Sequence, residues 1–176
     1  IVTWGILGTG DIARQMAEDL RLVPHVDLRA VASRTGDRAE VFGDIHGIPM
    51  RYGCYEDLVA DPVIDVVYIA TPHPRHCADT IMCLQGGKAV LCEKPLAMNQ
   101  GEVDRMVAAA TSSNGFLMEA LWMAFFPAMQ SLRQDLADGV IGQPRLLTAN
   151  FSYKADAARE SRLFNPALGG GALLDI

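Results

Sequence analysis

Thr3-Trp4-Gly5-Ile6-Leu7-Gly8-Thr9-Gly10-Asp11-Ile12-Ala13 decides the fold. Its first five residues form a compact apolar run of the kind buried on both faces of a parallel sheet. Gly8 permits a tight turn, Gly10 lets backbone approach a pyrophosphate, and the small Ala13 lets helix and strand pack closely while the helix N-terminus faces the phosphates. The bare G-x-G-x-x-A spacing also occurs in structural turns. A strand directly before it and a helix directly after it are what point to a nucleotide site. Gly8, Thr9, Gly10, Asp11 and Ile12 are the expected phosphate-side residues.

The end of the next expected strand selects the nucleotide. A site preferring NAD usually places Asp or Glu there to accept from the ribose 2′-hydroxyl, whereas this chain carries Ser33-Arg34, with Arg38 four residues beyond. A carboxylate would repel a 2′-phosphate; guanidinium groups would hold one, each charge-assisted bond contributing roughly 1.5–3 kcal/mol. NADP is therefore expected over NAD. The alternative for both arginines is a solvated surface position.

Working outward, the pattern to about Leu117 alternates β-branched runs with helical periodicity, the mark of βαβ units. Strands are expected at Thr3–Leu7, Leu28–Ser33, Val63–Ala70, Ala89–Cys92 and Phe116–Met118. Asn99 with Glu102 three positions on is a helix start, and Asn114-Gly115 a stop. Beyond Leu121 a helix is expected over Ala128–Ala137. Leu146–Lys154 then alternates, with Leu147, Ala149, Phe151 and Tyr153 on one side, as in a half-buried strand. The expected fold is α/β: a Rossmann-type doubly wound parallel sheet over residues 1–121, followed by the start of an α+β domain with a mostly antiparallel sheet over 122–176.

Two loops follow strands at what should be the carboxyl edge of the sheet, where open α/β folds bind ligands. In Thr71-Pro72-His73-Pro74-Arg75-His76 the prolines stiffen backbone beside the nucleotide, and His76 either points into the cleft or caps the next helix. In Glu93-Lys94-Pro95 a lysine leaves a buried strand between a carboxylate and a proline, so its ammonium is delivered from restricted backbone. A salt-bridged strand end would read the same way.

Composition narrows the partners. Half the 176 residues are hydrophobic and a fifth charged, enough for one sizeable core, and a net charge of -6 gives no general attraction for nucleic acid or anionic lipid. The apolar stretch Val63–Ala70 is too short to span a membrane, and the N-terminal residues read as a strand rather than a signal peptide, which favours the cytoplasm. Cys54, Cys77, Cys83 and Cys92 lack metal-site spacing and are expected as buried thiols. His25, His46, His73 and His76 fall in separate contexts, so no metal is expected. The run Gly171-Ala172-Leu173-Leu174-Asp175-Ile176 looks like an element under way, and a further C-terminal portion is expected.

These motifs together resemble the glucose-fructose oxidoreductase, inositol dehydrogenase and rhizopine-catabolism oxidoreductase family, from Gly8-Thr9-Gly10 through Thr71-Pro72-His73 and Glu93-Lys94-Pro95 to Gly169–Ile176. Ala89–Pro95 and Met118–Trp122 look most like its dimeric dihydrodiol dehydrogenases, and the anhydrofructose reductases are also similar at Ser33-Arg34 and Arg162-Leu163. The resemblance implies that Lys94 holds or polarises the reacting oxygen beside the nicotinamide, that Glu93 borders the cofactor, and that Pro95 follows a cis peptide. It further implies that Trp122 and Phe151 line the substrate pocket and that Arg162 approaches the cofactor. Asp175 would be the first member of a pair whose second, at position 179, is the general acid/base.

The activity so implied is NADP-dependent hydride transfer to or from a secondary alcohol of a cyclic diol, sugar or polyol, in a homo-oligomer, dimer or tetramer, with Lys94, Asp175 and His76 as the candidate catalytic residues. An inositol or aldose dehydrogenase or an anhydrofructose-type reductase is the alternative within the family. A non-catalytic NADP-binding regulator is the alternative outside it, and the presence of Lys94 and Asp175 weighs against it.

Overall fold

In the computed structural model, described for residues 1–152, 154 and 161–175, six parallel strands form one sheet in the order β3-β2-β1-β4-β5-β6. They are β1 Val2–Leu7, β2 Val26–Ala32, β3 Met50–Tyr52, β4 Val66–Ile69, β5 Ala89–Cys92 and β6 Leu117–Glu119. The helices are α1 Asp11–Leu20, α2 Gly36–His46, α3 Tyr55–Ala60, α4 His76–Gln85, α5 Gln100–Ser112, α6 Pro127–Ala137 and α7 Ala172–Asp175. The chain builds outward from β1 to β3 and then returns to lay β4 on the other side of β1. That reversal opens a crevice at the carboxyl ends of β1 and β4, the usual ligand position in such sheets.

The strands are buried on both faces because alternate residues feed two cores. Leu7, Ala30, Ala32, Val67, Ile69 and Val90 pack with residues of α3, α4 and α5. Ile6, Val31 and Tyr68 pack with Ala13 and Ala17 of α1 and Ala39 and Phe42 of α2. Ile6, Leu7, Val31, Val67 and Val90 are fully buried, and each such side chain contributes roughly 1.5–3 kcal/mol. In α1 the buried positions Ala13, Ala17 and Leu20 recur at helical spacing, with the small Ala13 and Ala17 packed against Ile6, Val31 and Tyr68 of the sheet.

Asn99 caps α5 by accepting the Glu102 N–H at 3.0 Å, while the Glu102 carboxylate accepts from Met98 N at 3.1 Å, one residue earlier than in a reciprocal capping box. At the other end Asn114 takes the left-handed conformation and Gly115 N–H returns to Ala110 O at 2.8 Å, which stops the helix where expected. Cys77, Cys83 and Cys92 are buried free thiols, with burial pushing Cys92 up to about 12, while Cys54 is only partly buried.

Two expectations need correction. β3 was not expected; three residues between two helices carry too short a period to register. The strand expected over Leu146–Lys154 is not formed by the described residues: 146–152 and 154 have no regular structure, and Leu146 and Leu147 are 86 % and 89 % exposed. An alternating pattern needs a neighbouring strand to take its backbone hydrogen bonds, and among the described residues none is paired with this segment. Tyr153, on its apolar side, lies outside the described residues. Among the described residues after 121 there are helices and irregular backbone but no antiparallel pair, and none of the helices is long and apolar enough to cross a membrane.

Candidate functional site

The turn after β1 is built as its glycines require. Gly8 has φ +106°, its N–H donates to Ala32 O at 2.9 Å, and a Cβ there would lie 2.6 Å from Ala70 O. Only glycine fits. Gly10 is the N-cap of α1, has no side-chain capping bond, and would meet nothing within 4 Å if it carried a Cβ. The first-turn N–H groups of α1 thus face open space without a side-chain acceptor, which suits an anion at the positive end of the helix. Asp11 does not fill that space; its fully exposed side chain lies 3.7 Å from Arg14.

This space belongs to a cleft of about 910 Å³ along the carboxyl edge of the sheet. Gly8, Thr9, Gly10, Asp11, Ile12, Ser33, Arg34, Arg38, Thr71, Pro72, His73, His76, Glu93, Lys94, Trp122 and Arg162 all line it, so segments far apart in sequence converge on one site. Phe151 is not among these residues and is 70 % exposed. Asp175 is the last residue of α7, and its side chain lies outside what is described.

At one end, Ser33 is buried, its N–H donates to Tyr52 O at 3.1 Å, and its hydroxyl lies 3.4 Å from that of Thr9. Arg34 and Arg38 are exposed beside it, and among the described residues neither makes an ion pair. Tyr55, which the sequence did not single out, lines the same end and carries the Arg75 guanidinium 5.5 Å from its ring centroid. It follows the unexpected β3, so no motif announced it. Burial pushes its phenol above the ordinary range.

The Thr71 loop is held from below. The Thr71 hydroxyl donates to Asp79 Oδ2 at 2.8 Å and Arg75 donates to Asp79 Oδ1 at 2.5 Å, with the carboxylate 1 % exposed. His76, the first residue of α4, is fully buried, with Nδ1 2.8 Å from Pro95 O and Nε2 2.8 Å from Thr71 O. The catalytic role expected of His76 is corrected accordingly. Both ring nitrogens lie against backbone carbonyls, so the ring sits between the two ligand-side loops and its N–H ties it to one of them, Pro95 O or Thr71 O according to tautomer.

The Lys94 loop is fixed just as closely. Its Lys94–Pro95 peptide is cis. Lys94 N–H donates to Glu93 Oε2 at 3.1 Å, the Tyr68 hydroxyl donates to Glu93 Oε1 at 2.5 Å, and Leu96 N–H donates to Glu119 Oε1 at 2.8 Å. Gly169 brings the later segment against this site: at φ +77°, a Cβ there would sit 2.7 Å from His73 Nδ1 and 3.1 Å from Met98 Sδ. Arg162 reaches the cleft from the same segment. Among the described residues no group of three or more His, Cys, Asp or Glu is arranged to hold a metal ion.

Known proteins are similar to this chain in sequence and fold. The chain is 46 % identical to trans-1,2-dihydrobenzene-1,2-diol dehydrogenase of Xenopus laevis over 178 residues, covering 98 % of this chain and 52 % of that protein. It is 45 % identical to the Homo sapiens enzyme of the same name over 175 residues, with the same coverage. The chain thus spans about half the length of the curated relatives it matches. Among solved structures it is similar to an NAD-binding oxidoreductase from Klebsiella pneumoniae (TM-score 0.76, 31 % identity, 81 % of this chain and 40 % of that one). It is also similar to a 3-ketoreductase from Actinomadura kijaniata in complex with TDP-benzene and NADP (TM-score 0.74, 31 % identity, 81 % and 45 %). Residues 2–121 match the model of the oxidoreductase family with an NAD-binding Rossmann fold, and to that family this chain belongs.

Proposed function

We propose that the protein carrying this chain is an NADP-dependent dehydrogenase or reductase that moves a hydride to or from a secondary alcohol of a cyclic diol, sugar or polyol, with a trans-dihydrodiol as the first substrate to try. One observation carries the cofactor part: two exposed guanidinium groups, Arg34 and Arg38, that make no ion pair among the described residues flank a glycine turn and a helix N-terminus with no side-chain cap. The names of the curated relatives and the NADP in the Actinomadura kijaniata ketoreductase support it.

When bound, NADP supplies the hydride acceptor or donor. The residues of this chain have the following parts in binding and positioning. The N–H groups at the start of α1 bind the pyrophosphate, and Arg34 and Arg38 the 2′-phosphate. Lys94 Nζ, sent into the cleft from tethered backbone, holds the reacting oxygen and passes its proton. Glu93 and Arg162 border the cofactor, and Trp122 forms part of the substrate wall. Asp175 serves the proton transfer, residues 122–176 begin a second, substrate-binding domain, and the whole protein is a homo-oligomer.

Turnover of the full-length protein with NADP and a panel of dihydrodiols, sugars and polyols tests this reading. Lys94→Met should lower kcat by about 10²–10⁴-fold with little change in nucleotide affinity. Unchanged turnover would remove Lys94 from the mechanism.

A further inference from the structure

Glu93 is 8 % exposed, and its two carboxylate oxygens are taken by different parts of the chain. Oε2 accepts the N–H of Lys94, and Oε1 accepts the Tyr68 hydroxyl from β4, the neighbouring strand. Tyr68 is itself only 2 % exposed, and its ring packs on the α1 side of the sheet with Ile6, Ala13 and Val31. Burial, and then the contact with Glu93, push its phenol far above the ordinary range, so it remains a donor. Phenylalanine would serve the packing as well. The hydroxyl has a different use: its one described bond goes to a carboxylate that lines the main cleft.

We propose that Tyr68 is a positioning residue for the Lys94 site: its hydroxyl fixes the Glu93 carboxylate, and Glu93 fixes the peptide from which the Lys94 side chain departs. This rests on the oxidoreductase reading above. A carboxyl group so buried needs its hydrogen-bond partners, because a buried polar oxygen left without one is costly. Without the Tyr68 hydroxyl it turns away to find another, releasing Lys94 N–H. A displacement of about 1 Å in a group that must meet a reacting atom is enough to slow a reaction strongly.

The test uses Tyr68→Phe, Glu93→Gln and the double variant of the full-length protein. Tyr68→Phe should lower kcat about tenfold while the Kd for NADPH stays within about twofold. The double variant should be no slower than Glu93→Gln alone, because both remove one linkage. Without any nucleotide, amide exchange at Lys94 should accelerate about tenfold in Tyr68→Phe, relative to Val67 and Val90 in the adjoining strands. Unchanged turnover, multiplying effects of the two substitutions, or a uniform acceleration of exchange across β4 and β5 would each overturn the inference. Failure of the underlying reading is distinguishable. Unmodified protein would then show no turnover at all, which overturns both, whereas active unmodified protein indifferent to Tyr68→Phe overturns this inference alone.

Discussion

The Thr71 hydroxyl donates to Asp79 Oδ2 at 2.8 Å, tying the loop after β4 to a carboxylate in α4 that is 1 % exposed. The bond joins the cleft wall to the core. Thr71→Val keeps the shape but strips one donor from a buried anion, and should cost about 1–3 kcal/mol. Urea unfolding measures it; a loss within about 0.3 kcal/mol of zero would mean that Arg75 alone satisfies Asp79.

Arg34 and Arg38 stand exposed at one end of the cleft, and among the described residues neither is ion-paired. Arg34→Ala should weaken NADPH about ten- to hundredfold and leave NADH within about twofold, because only the former carries the third phosphate. Isothermal titration with both nucleotides decides. Equal losses for the two would assign Arg34 to some other part of the ligand.

Gly8→Ala introduces a Cβ at φ +106° and 2.6 Å from Ala70 O. The conformation alone costs about 1–3 kcal/mol, and the clash adds to it by pushing β1 from β4. Gly10→Ala, at negative φ and with nothing within 4 Å, should leave stability nearly unchanged yet obstruct the ligand space. Thermal melts and nucleotide titration of the two variants should therefore diverge. Parallel losses would place Gly10 in the fold rather than at the ligand.

Asp61 Oδ1 accepts Val63 N–H at 2.9 Å and Oδ2 accepts the Tyr52 hydroxyl at 2.8 Å. The Val63 bond, opposed by burial and then helped by Tyr52 and the Lys88 charge, holds its carboxyl below the ordinary range. A group made more acidic by folding stabilises the folded state above its unfolded pKa, about 3.9 for Asp, and that contribution vanishes as pH falls through the lower folded value. Asp61→Asn should flatten the fall in stability below about pH 4. Parallel stability curves for the two proteins through that range would contradict the assignment.

What could be read in the sequence was what local spacing encodes. Gly8, Gly10 and Ala13 specify their turn within six residues, Asn99 and Glu102 mark a helix start within four, and Glu93-Lys94-Pro95 carries its own geometry. What escaped depends on partners distant in sequence. Tyr55 enters the cleft from the start of α3, just after β3, a strand too short to announce itself, and Tyr68 meets Glu93 only because β4 and β5 lie side by side. His76 was open between two roles and took a third, set by the carbonyls of Thr71 and Pro95. Leu146–Lys154 failed in the opposite direction: its alternation is real, but periodicity cannot say whether a partner strand is there.

Titration of the full-length protein with NADPH and NADH, followed by nicotinamide fluorescence, bears most directly on the cleft between Gly8 and Lys94. Saturable binding of NADPH, at least about tenfold tighter than NADH, is the expected result. No saturable change with either nucleotide would contradict it, leaving the turn after β1 as a structural turn and Arg34 and Arg38 as surface charges.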